Sequence, residues 1–231
     1  MKTILITGAN RGLGLEFVRQ LAQDETTIIA CCRNPQEADE LSAYAEEKKN
    51  IVMEALDVRD DQQISNLVKK LHNQPIDWLI NNAGITGDTG VTVGNVDRDN
   101  FLNVINTNCL SPLKISEAFL KNIEQSQDKL IVCISSQMGS IKDNVSGRSY
   151  AYRTGKAALN CAMRSFAIDV ENQGVKVMLL HPGWVKTDMG GEDALIDPQT
   201  SIAGMLKVIH QHKDNSHAEV LRSYNGDLLP W

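Results

Sequence analysis

The sequence predicts a doubly wound α/β fold: a parallel sheet of about seven strands with helices on both faces. Three observations predict it. Short apolar runs rich in β-branched residues alternate with longer amphipathic stretches along the chain. The runs lack polar alternation, which suits strands buried on both faces. The first run leads through a glycine-rich turn, Thr7-Gly8-Ala9-Asn10-Arg11-Gly12-Leu13-Gly14, straight into a helical pattern.

Strands are expected at residues 3–6, 27–31, 51–55, 78–80, 130–134, 176–180 and, more weakly, 218–221. Helices are expected at 12–23, 36–49, 60–72, 98–123, 150–173 and 200–211. Strand–helix alternation requires right-handed crossovers, hence a parallel sheet. No repeat, low-complexity tract or linker divides the 231 residues, so a single domain over 1–231 is expected.

A composition of 42% hydrophobic and 23% charged residues is that of a soluble globular protein. The net charge of −6 leaves no electrostatic footprint for nucleic acid or an anionic membrane, so local groups must hold any anionic ligand. Cys31, Cys32, Cys109, Cys133 and Cys161 lack CxxC spacing and read as reduced, mostly buried thiols. The apolar segment before Thr7 is too short for a signal peptide and no run approaches a membrane span, so a cytoplasmic location is expected. His210, His212 and His217 form no metal-ligand pattern, and no metal is expected.

In the first turn, Gly8, Gly12 and Gly14 permit close backbone approach, and the following helix offers free N–H groups to a pyrophosphate. A glycine-rich strand–helix turn without a ligand is the bland alternative. Strand two ends Cys32-Arg33 rather than in the acidic residue that binds ribose hydroxyls, while Arg11 sits in the glycine turn. Two guanidinium groups suit a phosphate, which points to NADP(H); ordinary surface arginines are the alternative. Asp57, before Val58, is placed to accept from an adenine amino group or merely to begin a turn. Asn81-Asn82-Ala83-Gly84 suits a flat ligand or a sharp turn. Within 98–123, Asn106, Asn108 and Pro112 interrupt the amphipathic pattern, and Pro112 is a candidate for a local kink. Strand five ends in Ser135-Ser136 and brings a hydroxyl to the carboxyl edge, where ligands of open α/β sheets bind; a routine turn serine is the alternative. After strand six, Pro182 and Gly183 open a segment expected to be mobile over the site.

Tyr152 and Lys156 lie four residues apart on a helix, so they share one face. A free tyrosine titrates about 3 units too high for proton transfer at neutral pH, a deficit of about 4 kcal/mol. A cation about 4 Å away at an effective dielectric near 20 supplies a similar amount. The pair alone is common in solvated helices.

Thr7-Gly8-x3-Gly12-x-Gly14, Asn81-Asn82-Ala83-Gly84, Asn108, Ser136, Tyr152-x3-Lys156 and Pro182-Gly183 with Thr187 fall in one order. That order resembles the short-chain dehydrogenase/reductase family, and residues 181–191 and 225–231 are similar to its sniffer-type carbonyl reductase and C-factor branch. The resemblance implies a Rossmann-type fold and NADPH-dependent reduction of a ketone or aldehyde. It implies that Ser136 polarises the carbonyl and Tyr152 transfers the proton. Lys156 would bind the nicotinamide ribose and lower the Tyr152 pKa, and Asn108 would hold a relay water. Cofactor contacts are implied for Gly8, Asn10, Arg11, Gly12, Leu13, Gly14, Arg33, Asp57, Val58, Asn82, Ala83 and Gly84. Further along they are implied for Tyr152, Lys156, Pro182, Gly183, Val185 and Thr187, the last two orienting the carboxamide. It also implies a homodimer through 98–123 and 150–173. The alternative is an NADP(H)-binding signalling or regulatory protein with little turnover. Gly155 stands where the family often has Ser.

Overall fold

Eight strands form one sheet in the order β3-β2-β1-β4-β5-β6-β7-β8 in the computed structural model, which describes residues 1–215 and 217–231. They are β1 (Lys2–Thr7), β2 (Thr26–Cys32), β3 (Ile51–Ala55), β4 (Trp78–Asn81), β5 (Leu130–Ile134), β6 (Lys176–His181), β7 (His217–Ser223) and β8 (Leu228–Leu229). The first seven run parallel, as expected. The eighth, which the sequence did not foretell, pairs antiparallel with β7 over Leu221↔Leu229 and Arg222↔Leu228. A two-residue strand is too short to show a period.

Side chains of successive strand residues point to opposite faces. Ile4 and Ile6 therefore join one core with Phe17, Leu41, Ile202 and Met205, while Leu5 joins the other with Ile64, Phe119, Leu159 and Met163. The first core is covered by α1 (Gly12–Leu21), α2 (Asp39–Glu47) and α8 (Pro198–His212), the second by α3 (Asp61–Lys70) and α7 (Tyr150–Asp169) among others. The order reverses beside β1, which pairs with β2 on one side and β4 on the other. Such a switch point opens a crevice at the carboxyl edge of the sheet.

The expected helix at 98–123 is not continuous. It divides into α4 (Arg98–Ile105), a π turn at Asn106–Leu110, α5 (Ser111–Ala118) and α6 (Leu120–Glu124). Pro112 falls in the first turn of α5, directly after the π turn. The break is the π turn, closed by the Ser111 N–H on the Asn106 carbonyl, and Pro112 lies beside it. Among the cysteines, Cys31, Cys32 and Cys133 are buried, but Cys161 is exposed on α7. No helix among the described residues is long and apolar enough to cross a membrane.

Candidate active site

The glycine turn lies at the crevice and is built by steric exclusion. Gly8 and Gly12 take φ of +66° and +52°, the left-handed region. A Cβ on Gly14 would stand 2.0 Å from the Gly8 carbonyl oxygen, so only glycine lets α1 press against the turn. The Arg11 N-cap has no side-chain cap, which leaves the first N–H groups of α1 facing the crevice. Asn82 braces the turn rather than projecting from it: its Nδ2 donates to the Thr7 and Gly8 carbonyls at 2.9 and 3.1 Å. Thr7 Oγ1 accepts in return from the Asn82 and Ala83 N–H groups.

At the adenosine end, Arg33 is exposed beyond β2. Asp57 stands at the carboxyl edge of β3 as expected, but its carboxylate is held by Arg59 through Nε at 3.0 Å and Nη2 at 2.7 Å. Those bonds lower its pKa, with a smaller contribution from the charge of Arg33. Arg59 escaped the sequence reading; its signal was its place two residues after Asp57. Arg11 is not free either: Nη1 meets Asp188 Oδ2 at 2.7 Å, an exposed pair joining the glycine turn to the segment after β6.

That segment, expected to be mobile from Pro182 and Gly183, carries several hydrogen bonds that the sequence does not show. Trp184 Nε1 donates to the Gly190 carbonyl at 2.7 Å, Thr187 Oγ1 accepts from the Gly190 N–H at 3.2 Å, and Val185 bridges Ile196. The Pro182 carbonyl accepts from Ser201 Oγ at 2.6 Å, tying the segment to α8. Thr187 comes down on the glycine turn, where a Cβ on Gly12 would lie 3.5 Å from its Cγ2. His181, just before it, is half-buried with a buried, unpartnered Nδ1, and desolvation pushes its pKa down to about 4.

The polar residues expected to act together do converge. Ser136 caps a 3-10 turn at Gln137–Gly139, accepting from the Met138 N–H at 3.1 Å, and its hydroxyl is near enough to the Tyr152 phenol to lower its pKa. A Cβ on Gly139 would stand 2.9 Å from the Lys156 backbone, so this turn packs directly on α7. Lys156 is buried, and Nζ donates to the Ile134 carbonyl at 2.7 Å. Burial brings its pKa down to about 8. A Cβ on Gly84 would lie 3.2 Å from Asn108 Oδ1 and 3.7 Å from Lys156 Nζ, so three separate chain segments meet at one point.

Two details differ from expectation. Burial raises the Tyr152 pKa, and the group pulling it back is the Ser136 hydroxyl rather than the Lys156 ammonium. The ammonium sits 5.8 Å from the ring centroid. The Asn108 side chain is also engaged with Ile85: Oδ1 accepts from the Ile85 N–H at 2.9 Å and Nδ2 donates to the Ile85 carbonyl at 2.8 Å, which leaves one N–H and one lone pair.

The sequence profile of the short chain dehydrogenase family matches residues 2–195. The C-signal of Myxococcus xanthus is 41% identical over 157 residues, covering 68% of this chain and 93% of that protein. The carbonyl reductase Sniffer of D. melanogaster superposes with a TM-score of 0.91 at 33% identity, covering 100% of both chains. The NADPH-bound carbonyl reductase from chicken fatty liver gives a TM-score of 0.92 at 34% identity, covering 100% of this chain and 99% of that one.

Proposed function

The chain belongs to the short-chain dehydrogenase family, and from that premise we propose that it is an NADPH-dependent carbonyl reductase. The observation that carries the reading is the meeting of Ser136, Tyr152 and Lys156 at the carboxyl edge of the sheet, beside the glycine turn. The cradle fits a dinucleotide: Gly14 leaves no room for a Cβ, and the uncapped start of α1 offers N–H donors to a pyrophosphate. Arg33, and Arg11 once released by Asp188, suit a 2′-phosphate. The NADPH bound to the chicken carbonyl reductase supports the same choice.

Bound NADPH would supply the hydride. The Ser136 hydroxyl donates to the substrate oxygen and polarises the carbonyl. Tyr152 gives that oxygen its proton as general acid. Lys156 keeps donors beyond the one spent on Ile134, enough to hold ribose hydroxyls and to bring positive charge toward the phenol. Asn108, braced on Ile85, holds a water that links Lys156 to bulk solvent as a proton relay. Val185 and Thr187 orient the carboxamide.

The test is a screen of NADPH oxidation against quinones, α-dicarbonyls and aromatic aldehydes, with the alcohol identified. The C-signal likeness supports a second reading, an NADP(H)-binding regulatory protein with little turnover. Tight NADPH binding with silence across the panel decides for it. A homodimer in the cytoplasm belongs to the proposal; half-exposed Leu102, Leu110 and Ile168 on the expected pairing helices support it, and light scattering at the mass of one chain rejects it.

A further inference from the structure

The segment that joins Ser136 to Tyr152 is strained where it enters the helix. Gly147, Arg148 and Ser149 have φ of +62°, +58° and +47°, three consecutive left-handed residues, two of them with side chains that disfavour it. Ser149 makes no side-chain cap on α7, so backbone conformation alone delivers the chain to Tyr150. Such strain persists only where the surroundings over-determine it.

Those surroundings converge on Arg153, the neighbour of Tyr152. Its Nε donates to the Gly147 carbonyl at 3.2 Å and its Nη2 to Ser146 Oγ at 2.8 Å. Its Nη1 reaches the Met138 carbonyl at 3.4 Å. Met138 is also the residue whose N–H bonds Ser136 Oγ, so the guanidinium grips the turn that Ser136 caps. The Trp231 carbonyl holds the other side, accepting from the Lys142 N–H at 3.0 Å and Ser140 Oγ at 3.1 Å.

We propose that Arg153 is a positioning residue whose guanidinium locks the strained lead-in to α7 onto the Ser136 turn and so sets the Ser136 hydroxyl against the Tyr152 phenol. The proposal rests on the reading of Ser136 and Tyr152 as the reacting pair. A planar fork with fixed donors spans acceptors on both arms of the segment, which a lysine ammonium cannot do.

The test reads the phenol directly and needs no turnover. The four tyrosines are replaced with 3-fluorotyrosine, whose phenol ionises at lower pH, and titrated by 19F NMR, with Tyr152→Phe identifying the resonance. Arg153→Ala is expected to move the Tyr152 midpoint upward by up to about one pH unit, the scale of one lost hydrogen bond. Ser136→Ala moves it as far, and the double variant no further, because both changes remove one interaction. Arg153→Lys does not restore the wild-type midpoint. Retained NADPH affinity and melting temperature show the fold intact; Arg153→Gln takes its place if Arg153→Ala does not fold. A midpoint unmoved by the loss of Arg153, or shifts that add in the double variant, overturns the proposal. A wild type that shows the coupled titration yet reduces no carbonyl sinks the enzymatic reading and leaves this one standing.

Discussion

The Lys156 ammonium lies 5.8 Å from the centre of the Tyr152 ring, while its shortest bond, 2.7 Å, goes to the carbonyl of Ile134. The helical spacing thus brings the two groups to one site without making them a bonded pair. Of Lys156 and Ser136, the serine hydroxyl is the group that lowers the phenol pKa against the effect of burial.

Lys156 gives a pH signature of its own. Its folded pKa, about 8, lies below its ordinary value, so between about pH 8 and pH 10 the unfolded chain binds more protons than the folded one. Stability from this group therefore rises with pH across that window, by about 3 kcal/mol at most. Lys156→Met is expected to abolish that rise and to weaken NADPH binding. Denaturant melts from pH 7 to 10.5 check it; parallel curves for wild type and variant contradict it.

Cofactor preference is expected to reside in Arg33. Charge-assisted hydrogen bonds to a phosphate are worth about 1.5–3 kcal/mol, so Arg33→Ala loses about 10- to 100-fold in NADPH affinity with NADH affinity unchanged. Isothermal titration with both cofactors measures it. Equal wild-type affinities remove the basis for the choice.

Two glycine substitutions separate the glycine turn from the helix. Gly14→Ala places a methyl 2.0 Å from the Gly8 carbonyl oxygen, and loss of NADPH binding follows. At Gly155 the nearest atom to a new Cβ is Asn108 Cβ at 3.4 Å, an ordinary contact between α7 and the π turn. Gly155→Ala is expected to gain about 0.5–1 kcal/mol from helix propensity with turnover retained. Thermal melts and NADPH titrations decide both; a destabilised Gly155→Ala contradicts the packing described.

The sheet was legible because its strands are buried on both faces, which writes them as apolar runs. Tyr152 and Lys156 were placed together by their helical spacing, while Asn108 and the choice of Ser136 came from the resemblance to the family. What escaped the sequence lies in long-range bonding. Asn106, Asn108 and Pro112 marked a disturbance in the helix, but its form as a π turn is a matter of hydrogen-bond register, which no spacing shows. Proline and glycine at 182 and 183 implied mobility; the Trp184–Gly190 and Ser201–Pro182 bonds of the segment have no sequence signal. Arg11 and Asp57 were placed correctly as charges, while their partners Asp188 and Arg59 went unread.

The most direct measurement is NADPH oxidation by Tyr152→Phe with the best carbonyl from the screen, beside NADPH binding to the same variant. Loss of turnover by about 10²–10⁴-fold with binding retained is expected of a general acid. Undiminished turnover without the phenolic hydroxyl would contradict the account.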